Sequence, residues 1–72
     1  MIKLKTSKDA PVALKAIIKD SGYTRSHIAK LLNTDIQNVY AVIKTSNTNM
    51  NLQRLISYCD VCGYDVVLMK RD

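Results

Sequence analysis

Cys59 and Cys62, His27, and the amides of Gln37 and Asn38 are the side chains whose type and spacing could do chemistry. A Cys-x-x-Cys pair holds zinc when a second pair or two histidines complete the four ligands. Here the pair stands alone and the single histidine lies far upstream, so neither a metal nor any other cofactor is expected. On a helix, positions three apart share a face, where free cysteines behave as small hydrophobes. No Ser, Cys or His is paired at a spacing that would activate a nucleophile, and no glycine-rich phosphate loop exists. Enzymatic activity is therefore not expected, and His27 reads as a surface or capping residue. The amides are more promising. A carboxamide donates and accepts together, which matches the adenine N6 and N7 edge in the major groove of duplex DNA.

To work in that way the amides need a rigid, protruding element beneath them. The 72 residues suit one domain, 1–72, and a chain this short buries only about 60 % of its unfolded surface, so help from a partner is expected. With 47 % hydrophobic residues, two glycines and one proline, the composition is that of an ordered domain. Eleven Lys and Arg against six Asp and Glu give a net charge of +5, which favours a polyanionic partner. Lys3, Lys5, Lys8, Lys15, Lys19, Arg25 and Lys30 all fall within residues 1–30, against Asp9 and Asp20. No apolar run approaches the ~18 residues of a membrane span, and the first residues lack the apolar core of a secretion signal. A cytoplasmic location is expected.

Apolar periodicity divides the chain into four helical segments with short extended ends. Ala10, Ala13, Leu14, Ile17 and Ile18 form the stripe of a first helix, with Asp9 as its N-cap, Pro11 in its first turn and Gly22 past its end. Thr24 caps a second, with Ile28, Leu31 and Leu32 inward, ending at Asn33, a residue type that tolerates the left-handed conformation. Asp35 caps a third. That helix buries Val39, Val42 and Ile43 and leaves Gln37, Ala41 and Lys44 along another face. Residues 45–51 read as a loop rich in hydroxyls and amides, and Asn51 caps a fourth helix with Leu52, Leu55, Ile56 and Cys59 inward, ended by Gly63.

Residues 64–71 read as a strand whose centre, Val66, Val67, Leu68 and Met69, is apolar on both faces. Residues 1–5 alternate apolar and basic and can pair with it, but an isolated two-stranded ribbon is marginal in water. Two copies would supply four strands. A small antiparallel sheet between subunits of a homodimer is thus expected, with one strand face packing on the helices as the simpler alternative.

The segment over residues 24–44 has the layout of a helix-turn-helix. Ile28, Ala29, Leu32, Asn33, Val39 and Val42 stand where the lambda-repressor-like family (Cro/CI, XRE) places its inner apolar residues, its small alanine and its turn residue. The chain resembles that family over about fifty residues, from the first helix to Gly63. It departs at Asn33, where the family usually has Gly, and at Thr34, which replaces an aliphatic residue. The resemblance implies a mainly α fold of four to five helices with short terminal strands. Base edges would be read by Ile36, Gln37, Tyr40 and Ala41, with Asn38 beside them. Phosphates would be met by Arg25, Lys44, Thr45, Ser46, Asn47, Thr48 and Asn49.

Residues 55–68 are similar to the part of HigA- and HipB-type antitoxins that appends a strand, which implies Tyr64, Val66, Val67, Leu68 and Met69 at a dimer interface. The expected activity is that of a bacterial or phage-encoded, nucleoid-associated transcriptional regulator, a repressor or autoregulator binding a palindromic operator. The alternative is an antitoxin or phage-type module that occupies a co-encoded protein such as a toxin.

Overall fold

The computed structural model of the protein describes residues 1–44, 46–47 and 50–72. Four helices follow one another: α1 (Asp9–Ser21), α2 (Arg25–Leu31), α3 (Ile36–Ile43) and α4 (Leu52–Val61). The chain is mainly α. Helix α1 packs on α3 and α4, and α2 packs on α3 and α4, around a core in which Leu14, Ile28 and Val39 are almost wholly removed from water.

Helix α1 buries Ala10, Leu14, Ile17 and Ile18 of the stripe its periodicity predicts, while Ala13 at the edge of that stripe is only partly buried. Its start differs from expectation. Lys8, not Asp9, occupies the cap position, and no side-chain bond is made there. Asp9 is the first helical residue, and the chain before it curls so that the Lys5 and Thr6 amides donate to its Oδ2 at 2.8 and 3.0 Å. Those two donors, Lys5 first, hold the Asp9 carboxyl below its ordinary value, because each favours the charged form. Gly22 closes the helix at φ 76, a left-handed turn that costs glycine little.

The other three starts are as the sequence predicts: Thr24 Oγ1 accepts the His27 amide at 3.0 Å, Asp35 Oδ1 the Asn38 amide at 3.0 Å and Asn51 Oδ1 the Arg54 amide at 2.7 Å. Each bond satisfies an amide that has no partner inside its helix. Replacing Asp35 with Ala should cost about 1 kcal/mol, read as a melting temperature lower by about 4–8 °C. A melt indistinguishable from wild type would show that the cap contributes nothing.

The inward sets of α2 and α4 need correction. Ile28 and Ala29 are buried and Leu32 packs on the core, whereas Leu31 is 49 % exposed. The buried arc of α2 is centred toward Ala29, so Leu31 falls off its far edge. In α4 the arc runs through Leu55, Tyr58, Cys59 and Cys62, leaving Leu52 at 65 % and Ile56 at 42 % exposed. Tyr58 takes the inner place expected for Ile56.

Among the described residues there is no strand. Residues 1–5 and 64–72 lie outside any helix and form no strand ladder with each other. Ile2, Leu4, Val66, Val67, Leu68 and Met69 are exposed, Leu68 at 98 %. The single-chain ribbon, and the alternative in which a strand face packs on the helices, are therefore not what the chain adopts.

Candidate nucleic-acid interface

The turn between α2 and α3 sets the angle of the candidate recognition helix. Asn33 sits at φ 54; its amide donates to Lys30 O at 3.1 Å and the Thr34 amide reaches back to Ala29 O at 2.9 Å. This pair of bonds, closing over a left-handed residue, ends a helix abruptly and satisfies its last carbonyls. Asn fills the place of glycine here because its short polar side chain tolerates the left-handed region. Ala29, 5 % exposed, lies in the buried arc of α2, a helix that packs on α3 and α4, and a longer side chain in that arc would force the packed helices apart.

With Val39, Val42 and Ile43 turned inward, α3 leaves Gln37, Ala41 and Lys44 exposed together. They border a shallow groove shared with Lys15, Arg25, Tyr40 and Ile43, and not one carboxylate lines it. The groove continues past Ile36 toward Lys19, Tyr23, Thr24 and Ser26, again without an acid. Three cations thus flank one carboxamide in a carboxylate-free trough. Charges of one sign gathered along a groove raise the local concentration of counter-charge there.

The expected base readers are not equivalent. Gln37 and Ala41 are on the open face. Tyr40 is half exposed, but the Arg25 guanidinium lies 5.2 Å from its ring centroid, a cation–π distance. Tyr40 therefore braces Arg25 on the groove wall. Ile36 is half-buried at the α1 side of the helix. Asn38 points elsewhere: its Nδ2 donates to Thr34 Oγ1 at 2.7 Å, and it lines the hollow between α3 and α4 with Gln53 and Arg54.

Of the expected phosphate contacts, Arg25, Lys44 and Ser46 are exposed. Asn47 is engaged internally, its amide donating to Lys44 O and its Nδ2 to Val42 O, both at 2.9 Å. Thr45, Thr48 and Asn49 lie outside the described residues. His27 is exposed, with its ring 4.9 Å from that of Tyr23. Lys15 and Lys19 stood out in the sequence only as part of the N-terminal basic excess, not as site residues. Their i, i+4 spacing puts them in one row on α1, but any solvated helix face carries such rows, and only tertiary packing brings this one beside α3.

No family model matches the chain, and neither a curated protein nor a solved structure does.

Proposed function

We propose that the protein is a sequence-specific DNA-binding regulator of the helix-turn-helix class, acting as a homodimer on a palindromic operator. The supporting observation is the exposed Gln37 carboxamide on α3, set between Arg25, Lys15 and Lys44 in a groove free of carboxylates. The amide faces the base edges, Ala41 lies against a thymine methyl, and the cations grip phosphates on either side. Dimerisation is supported by the exposed apolar residues of the C-terminal segment, which a second copy would cover by pairing residues 64–71 and 1–5 into an intersubunit sheet.

Selection of bound duplexes from a random pool tests the reading. The expected product is an inverted repeat with half-sites one helical turn, roughly 34 Å, apart; a pool that stays random overturns it. Within the selected site, Gln37→Ala should cost about 1–3 kcal/mol per half-site, so about 2–6 kcal/mol and roughly 30-fold or more in affinity for the dimer, and leave random duplex nearly untouched. Equal losses on both DNAs would remove Gln37 from base reading.

A protein-interaction module is the second reading, favoured by the same exposed Val66, Val67, Leu68 and Met69. It predicts a stable complex with a co-encoded protein such as a toxin and no enriched DNA sequence.

A further inference from the structure

The two cysteines at the end of α4 are absorbed by neither reading, and they sit where the helix hands over to the exposed C-terminal segment. Cys59 and Cys62 are free, half-buried and packed against the core. Around them the helix closes in a specific way. Gly63 takes φ 83, its amide donates to Asp60 O at 3.0 Å, and the Tyr64 amide reaches back to Cys59 O at 2.8 Å. Tyr64 then fixes itself to α1 by donating its hydroxyl to Asp20 Oδ2 at 2.9 Å. The first residue of the exposed segment is thus held at two points, one of them the carbonyl of Cys59.

We propose that Cys59 and Cys62 are a reversible dithiol–disulfide couple whose closure releases Tyr64 from the end of α4. Three residues of helix separate Cα atoms by about 5 Å from rise and radius alone, inside the roughly 4.4–6.8 Å that a disulfide spans. Their Cβ atoms are about 5–6 Å apart in regular helix, whereas a disulfide needs roughly 3.5–4.5 Å. The Cys62 amide already donates to Cys59 O at 3.1 Å as well as to Tyr58 O at 3.3 Å, so the last turn is partly tightened. Closing the bond draws Cys62 further toward Cys59 and crowds the carbonyl that Tyr64 also uses. The last turn is what presents the Cys59 and Asp60 carbonyls to Tyr64 and Gly63. A bond made against such resistance is readily reduced, which suits a reversible couple rather than a permanent staple.

The chemistry balances with a low-molecular-weight disulfide, such as glutathione disulfide, as oxidant. One protein thiolate attacks a sulfur of the small disulfide, forming a mixed disulfide and expelling one thiolate. The second protein thiolate attacks the protein-bound sulfur and expels the other. The small disulfide gains two electrons, and the two protons lost by the protein end on the released thiols. Burial raises both thiols; the Ser21 side chain's hydrogen bond opposes the shift at Cys62, while the neighbouring Cys62 adds to it at Cys59.

The couple is independent of any role in DNA binding and is tested on the full chain without DNA. After incubation of the folded protein with excess glutathione disulfide and alkylation of remaining thiols, intact mass should show loss of two hydrogens with no glutathione retained. Dithiothreitol should reverse it. Cys59→Ser and Cys62→Ser should each retain one glutathione instead. In the oxidised protein the Tyr64 amide should exchange with deuterium at least about tenfold faster than in the reduced one, since it loses its acceptor. Wild type that stays reduced, carries two glutathiones or links only between chains overturns the couple. A disulfide that forms with Tyr64 exchange unchanged overturns the release.

Discussion

Raising salt from 50 to 200 mM should weaken binding of the proposed dimer to a DNA duplex by about 10³–10⁵-fold, if it neutralises ~6–10 phosphates. The expectation follows from where the charge lies. Arg25, Lys15 and Lys44 line one groove without a carboxylate, and two copies double the set. Each phosphate neutralised adds about 0.9 to the slope of log affinity against log salt on duplex DNA. Lys15→Ala should therefore flatten the slope by about 2 for a dimer, on cognate and random duplex alike. A titration that measures both slopes separates this from base reading, because Gln37→Ala should change affinity at constant slope. A wild-type slope near zero would show that the groove does not meet a phosphate backbone at all.

The local features that one side chain or one short stripe decides were legible in the sequence. Thr24, Asp35 and Asn51 make the predicted caps, since capping depends on a residue and the amide three places later. Asn33 takes the predicted left-handed turn, and Val39, Val42 and Ile43 are buried as their spacing requires. Features set by neighbours distant in sequence were not. Leu31 and Ile56 fit an apolar stripe as well as Ala29 and Tyr58 do, and only the crossing angles of the helices choose between them. Asp9 has the type of a cap, but the curl of residues 5–8 turned it into an acceptor for upstream amides instead.

The candidate site divides the same way. Gln37, Ala41 and Lys44 share an exposed face because the helix period puts them opposite the core. Tyr40 and Asn38 belong to the same eight-residue helix, yet one is held by Arg25 and the other by Thr34. Neither partner follows from helical spacing with certainty, since each lies on another element or in a turn. Lys15 joins the site for the reason that sequence could not supply: α1 packs against α3.

Ile28→Ala should cost about 2–5 kcal/mol, while Leu31→Ala, three residues along the same helix, should stay within about 0.5 kcal/mol. Ile28 is fully buried and Leu31 is 49 % exposed, so the first truncation opens a cavity and the second leaves surface to water. In a domain this small a single core rarely supplies more than about 3–5 kcal/mol. Ile28→Ala should then lower the melting temperature by about 8–40 °C, at about 4–8 °C per kcal/mol, or abolish cooperative melting altogether. Ile28 also belongs to the core through which α2 packs on α3, so residual folded protein should lose the proposed DNA binding along with stability. Circular-dichroism melts at matched protein concentration decide the matter, because the stability of the proposed dimer would rise with concentration. Equal losses for the two variants would place the buried arc of α2 where Leu31 lies, and the orientation of α3, with Gln37 on its outer face, would have to be redrawn.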